Sequence, residues 1–524
     1  MYKYLGSPTV HYEGHCNLIT TLLQHSFHSI IMGSIAQTED KYAAFKKHPV
    51  EGRLYINGEF VNAKSGKTFD VVNPATEEVI ATVQEAGVED VDIAVAAAKA
   101  AFPAWSALSA GERGEWLFKL AAALEKRLDE CSYLDAISMG KPVANDFANS
   151  IAITALRYFA GKAWDTHGDS SLNTPGFVNV TLRQPFGVTA GITPWNIPVA
   201  AVVFKLAPAL VTGNTIVIKS SEKAPIAPLV VAKCAEEIGL PKGVFNLING
   251  YGRPTGEALA KHMDVRKISF TGSTLAGRAI KKAAAESNLK NVTLELGGKS
   301  PLVIFPDADL EKAVPAAAVS ILLNSGQACI ASSRIYVHED IAEQFTEAMK
   351  GAMQQMGASG DPLITQAMRG PQVDKLQFNR IMDFFDYAKK NNLKMPIGGD
   401  RTGDSGFYIA PTIIQDAPED SRVMKEEIFG PVVCINTFTD ENEVLQRAND
   451  SEYGLYASVF TKDISRAMRI ATHLDAGSVG VNCTSPTMSF DMPFGGFKQS
   501  GDGRELSMHA TDYWTELKSV FIAL

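Results

Sequence analysis

The chain has 524 residues, too many for one ordinary core, so two to four packed units are expected. Hydrophobic residues make up 46% and charged residues 20%, with a net charge of −9, a globular composition that argues against disorder and against a nucleic-acid partner. No uninterrupted apolar stretch reaches the ~18 residues needed to cross a bilayer, so no membrane partner is expected.

Residues 1–36 differ in texture from the rest. They hold four of the ten histidines and almost no charge, and Met32 begins a more usual-looking start. They read as a disordered N-terminal extension; a weak targeting peptide is the alternative, with too little basic character for a mitochondrial presequence. From Val50 onward, apolar and polar residues alternate around Asn57-Gly58 and Asn73-Pro74, the pattern of strands and a hairpin. Residues 88–165 switch to helical periodicity. From about 186 to 300, short apolar runs ("GVTAGITPW", "NTIVIKSSE", "GVFNLING", "KISFTGS", "NVTLELGG") alternate with helical stretches, which predicts a parallel sheet covered by helices. A second series of this kind, from about 300 to 485, predicts a second α/β unit packed closely on the first.

The six cysteines (Cys16, Cys131, Cys234, Cys329, Cys434 and Cys483) are scattered, without a CxxC or a Cys/His cluster at metal-ligand spacing. No metal is expected, and a reducing compartment suits them better than disulfides. Cys329 alone lies in a run of small and polar residues, "NSGQACIASSR", and is a candidate nucleophile. A buried structural thiol remains the alternative.

Six further stretches carry chemistry. In "TPWNIP", Asn196 offers a neutral amide on a loop stiffened by two prolines, either an oxyanion donor or a turn cap. In "VIKSSE", Lys219 ends a strand and Glu222 follows it, placed to accept from ribose hydroxyls or to complement a helix dipole. "GYGRPTG" holds Gly252 and Gly256 but is one residue too long for the usual dinucleotide fingerprint. In "FTGS", Gly272 and Ser273 sit where a helix N-terminus can face an anion. In "TLELGGKSP", Glu295 ends a strand between leucines, either a buried base of raised pKa or an outward strand residue. "KEEIFGPV" adds Glu427 and Phe429.

Together "TPWN", "IKSSE", "FTGS", "LELGGKSP", "GQAC", "EEIFGP" and "PFGGFKQSG", in this order, resemble the NAD(P)-dependent aldehyde dehydrogenase superfamily, with the match running from about Leu54 to the C-terminus. The resemblance implies an α/β fold with a variant Rossmann cofactor domain (37–166 and 186–297), an α/β catalytic domain (298–498) and oligomerisation strands (167–185 and 511–524). It implies that Cys329 is the nucleophile, that Asn196 holds the oxyanion, and that Glu295 activates the water that releases the acid. Trp195, Lys219, Glu222, Gly252, Gly256, Gly272, Ser273, Glu427 and Phe429 fall at cofactor positions, and Glu222 favours NAD over NADP. Ile197, Phe204, Phe490 and Phe494 fall along the substrate tunnel and suggest aliphatic or aromatic aldehydes. A cytoplasmic homodimer or homotetramer is the implied form, with a mitochondrial location as the alternative. Two other function classes stay open at this stage: thiol-based acyl transfer to coenzyme A, against which Glu295 argues, and a non-catalytic binding or structural protein on the same scaffold.

Overall fold

The computed structural model describes residues 42–145, 147–363 and 369–524. The extension expected over residues 1–36 lies outside the described residues. Residues up to His48 form a unit of their own, of which the short helix Ala43–Lys46 is described; Pro49–Leu524 form one compact unit. Among the described residues, no helix is long and apolar enough to cross a membrane.

The first hairpin of the larger unit, Leu54–Ile56 against Glu59–Val61, turns on Asn57 and Gly58, both at positive φ (55° and 79°). Two consecutive positive-φ residues give the turn whose twist matches that of the strands, and Asn-Gly supplies them at low cost. This hairpin borders an eight-stranded sheet. Its five central strands are parallel and lie in the order Phe245–Ile248, Thr215–Lys219, Val188–Ile192, Lys267–Thr271, Asn291–Glu295. In chain order this reads 3-2-1-4-5. The direction of winding therefore reverses between Val188–Ile192 and Lys267–Thr271. A crevice must open at the carboxyl ends of those two strands, because their following connections leave toward opposite faces.

A seven-stranded sheet follows, with Lys394–Ile397 antiparallel at one edge and six parallel strands: Thr412–Gln415, Val432–Phe438, Arg334–His338, Pro301–Ile304, Tyr456–Phe460 and Ser478–Val481. Side chains alternate across it. Val303 and Tyr336 pack with Ile381 and Phe384 of the helix Lys375–Lys390. Leu302, Ile304, Ile335 and Val337 pack on the other face with Ile321 and Phe345. Each such buried side chain contributes about 1.5–3 kcal/mol of transfer free energy. A third, small sheet pairs Phe177–Pro185 with the C-terminal strand Thr515–Ala523 in unbroken antiparallel register. Its outer face leaves Leu517 and Phe521 63% and 71% exposed.

Candidate active site

The crevice at the reversal point collects the motifs of the first sheet. Thr193–Pro198 leave the strand Val188–Ile192, Gly272 and Ser273 leave Lys267–Thr271, and Lys219 closes the neighbouring strand. The second sheet answers from its amino edge. Gly298, Cys329 and Glu427 lie on the loops that enter Pro301–Ile304, Arg334–His338 and Val432–Phe438 respectively.

Gly297 and Gly298 permit this meeting. A Cβ on Gly298 would collide with the carbonyl oxygen of Cys329, and one on Gly297 would collide with the Glu427 carboxylate. Gly298 N–H donates to Glu427 Oε1 at 3.0 Å. Cys329 itself is partly exposed and packs in a small apolar cluster with Ile330, Leu455, Tyr456, Met488 and Phe494. Burial pushes its thiol well above the ordinary range, and the nearby Glu427 and Glu295 carboxylates push the same way. The thiol is therefore protonated in the protein alone at neutral pH, and its activation needs an added positive charge or a proton acceptor.

Glu295 ends the strand Asn291–Glu295 and is 5% exposed, with Oε2 unpartnered. Its side chain packs close to Gly495, where a Cβ would come within 2.8 Å of Glu295 Oε1, and at 5% exposure the outward reading of Glu295 is excluded. Burial raises its pKa well above the usual carboxylate range, and the charge of Glu505 raises it further, while Lys205 and Arg504 pull it back. Lys205 Nζ donates to Glu505 Oε1 at 2.6 Å and to Thr271 Oγ1 at 2.8 Å. It projects from Pro198–Val211, a helix buried all round in which it is the one charged residue. Neither Lys205 nor Glu505 stood out from a motif. The signal was present, however, in a lone lysine within an otherwise apolar helix.

Asn196 is buried, and its Nδ2 donates to the carbonyl oxygen of Gln327 at 3.0 Å, which ties the "TPWN" loop to the cysteine loop. Between them, Asn324, Ser325 and Gly326 all have positive φ (51°, 57° and 75°). For a residue with a Cβ this conformation costs roughly 1–2 kcal/mol, so the surroundings must enforce it.

The cofactor candidates lie around the same crevice. Lys219 Nζ is buried, donates to the Ser220 carbonyl at 2.9 Å and faces Glu222 Oε2 at 3.4 Å. A third of the Glu222 side chain stays open, so this carboxylate keeps acceptor capacity for hydroxyls. A Cβ on Gly256 would come within 3.6 Å of the Lys219 side chain, and Gly252 has open space beside it. Gly272 packs flat against the Phe270 ring, where a Cβ would come within 2.6 Å. Ser273 caps the helix Thr274–Ala285, accepting from Ala276 N–H at 3.3 Å and keeping its own hydroxyl proton free. Burial pushes Glu427 up to about 7. The Trp195 and Phe429 rings meet edge to face with centroids 5.2 Å apart. Of the four tunnel candidates, Phe494 packs on the same Ile330–Leu455–Tyr456 cluster as Cys329. Ile197 precedes the helix Pro198–Val211, Phe204 is buried within it, and Phe490 is half-buried on the 483–492 loop. Met488, which no motif marked, packs on the same cluster as Phe494 and Cys329.

Residues 60–520 match the model of the aldehyde dehydrogenase family. An aldehyde dehydrogenase of Emericella nidulans is 45% identical over 475 residues, covering 90% of this chain and 95% of that protein. Aldehyde dehydrogenase 1A1 of Mesocricetus auratus is 43% identical over 477 residues, with the same coverage of 90% and 95%. Among solved structures, the NAD+ complex of an aldehyde dehydrogenase from Bacillus cereus superposes with a TM-score of 0.89 at 40% identity, covering 93% of this chain and 99% of that one.

Proposed function

This chain belongs to the aldehyde dehydrogenase family and is an enzyme of NAD-dependent aldehyde oxidation, and we propose that Cys329 carries the substrate through the reaction as a thioester. The observation that supports this most is the convergence on one crevice of the Cys329 thiol and the Asn196 amide, each on its own loop, with the buried Glu295 carboxyl at a strand end.

The Cys329 thiol gives its proton to water, and the sulfur then adds to the aldehyde carbon as the carbonyl oxygen becomes an oxyanion. Two donors are suited to hold it: the second N–H of the Asn196 amide and the backbone N–H of Cys329. NAD, when bound, supplies the two-electron acceptor that takes the hydride from this adduct. The carbon is then a thioester on Cys329. Glu295 takes a proton from water as that water adds to the thioester carbon, and the acid leaves as the Cys329 sulfur departs. Where NAD would lie, the residues present fit it. Glu222 and Glu427 would offer carboxylate acceptors to two ribose diols, Ser273 and its helix N-terminus would offer donors to the pyrophosphate, and Trp195 with Phe429 would wall the nicotinamide end. With the adenine ribose held at Glu222, its negative charge would oppose a 2′-phosphate, which disfavours NADP.

For the substrate we take an uncharged aliphatic or aromatic aldehyde. Phe494, Met488 and Ile330 share an apolar cluster with Cys329, and Ile197, Phe204 and Phe490 are assigned to the approach. A steady-state matrix of aldehydes against NAD and NADP tests both choices. The expected result is a kcat/KM at least about tenfold higher with NAD, together with a preference for apolar over carboxylate-bearing aldehydes. A preference for NADP, or for a charged semialdehyde, contradicts the assignment. The exposed Leu517 and Phe521 on the C-terminal strand support a homodimer or homotetramer, in which that sheet would be covered. Light scattering should give two or four times 56.5 kDa, and a 56.5 kDa particle contradicts it. The five described cysteines are all free, as suits a reducing compartment; the cytoplasm is the proposed one, with cell fractionation as the check.

A further inference from the structure

We propose that Asn324 is a positioning residue for the oxyanion site, acting as a two-pronged amide clamp that aims Asn196 toward the reacting oxygen. This rests on the reading of Cys329 and Asn196 given above. Asn324 Nδ2 donates at 3.0 Å to the backbone carbonyl of Asn196 and at 3.2 Å to the carbonyl of Gln327. That Gln327 carbonyl is the same oxygen to which Asn196 Nδ2 donates at 3.0 Å. The two amides and two carbonyls therefore close a ring joining the Asn196 loop to the cysteine loop.

The chemistry of the ring fixes the direction of both amides. Each faces carbonyl oxygens, which only accept, so an NH2 group and not an amide oxygen must point inward. Once Asn196 has given one N–H to Gln327, its other N–H is held in a set direction. Asn324 Oδ1 has no partner. The side chain is thus held through its nitrogen alone, at a cost in unpaired acceptor that a simple loop filler would not require.

The rest of the loop is braced for this one group. Gln327 Nε2 donates back to the Asn324 carbonyl at 3.0 Å, and Gln327 Oε1 accepts from Val373 N–H at 2.9 Å. Ser325 Oγ donates to the Gly370 carbonyl at 2.7 Å. These contacts hold Asn324 and Ser325 in the left-handed conformation that brings the Asn324 amide between the two loops.

Asn324→Gly keeps the left-handed backbone without steric cost and removes the clamp. Asn324→Asp keeps the shape but sets an oxygen against two carbonyls, and serves as the second variant if the first does not fold. Either should lower kcat about tenfold or more with KM changed less than about threefold, because an oxyanion contact acts in the transition state. Added to Asn196→Ala, which itself should cost about 10²–10³-fold, the Asn324 change should cost less than about twofold more, because it acts through Asn196. Alkylation of Cys329 by iodoacetamide forms no oxyanion and should stay within about threefold of wild type. Unchanged kcat, a full repeat of the cost in the Asn196→Ala background, or a parallel loss of alkylation each overturns the clamp. The failure of the underlying reading looks different: Cys329→Ala would then retain turnover.

Discussion

Replacing Cys329 by Ala should lower aldehyde-dependent NADH formation by about 10⁴-fold or more, because it removes the sulfur assigned to the covalent adduct. Cys483, the other partly exposed described thiol, is not among the residues packed with Cys329. The substitution removes one sulfur from a small cluster that includes Ile330, Leu455 and Tyr456, and should leave the fold intact. NAD affinity should hold within a few-fold, because the groups assigned to NAD are Lys219, Glu222, Ser273, Glu427 and their neighbours. A calorimetric titration therefore separates loss of chemistry from loss of the site. Turnover retained in this variant would remove the thioester from the mechanism altogether.

The second large effect is expected at Glu295. Glu295→Gln keeps shape and hydrogen-bonding capacity but cannot take a proton, so acylation should proceed while release of the acid slows by about 10²–10⁴-fold. Mixing enzyme, NAD and aldehyde should then give a burst of about one NADH per active site followed by a stall. Its pH dependence is equally telling. Burial and the charge of Glu505 hold the Glu295 carboxyl well above the usual carboxylate range. At pH values below that raised pKa the group is a neutral acid and cannot serve as a base. Release of the acid in wild type should therefore rise with pH through the raised pKa, and the Gln variant should lack that limb. A variant that turns over at the wild-type rate with the same pH profile would assign the base elsewhere. Charge on Lys205 and Glu505 enters here, since their 2.6 Å contact sets the field behind Glu295.

Much of this site is legible in the chain because it is built from short local patterns. Asn57-Gly58 announces its turn through φ alone, and the strand–helix alternation from 186 to 300 follows from two different periods of apolar residues. Ser273 reads as a helix cap because a strand precedes it and an amphipathic run follows. What the chain does not display is anything that depends on distant segments meeting. Alternation alone leaves Glu295 free to face either way, and its carboxylate is packed close to Gly495, about 200 residues later. The 3-2-1-4-5 strand order, which creates the crevice, is invisible in a linear list of strands. Asn324 sits in a run of polar residues that reads as an ordinary loop. Its importance comes from a positive φ and from partners that include Asn196, 128 residues upstream. Lys205 is an intermediate case: a charge inside an apolar helix asks for a partner, but nothing local names Glu505, 300 residues on.

The most direct test of the central claim is to observe the covalent species itself. Glu295→Gln, mixed with NAD and an apolar aldehyde and quenched in acid during the stall, should gain the mass of one acyl group. Peptide mapping should place that group on Cys329. An unmodified chain, or an acyl group on any other residue, would contradict the account.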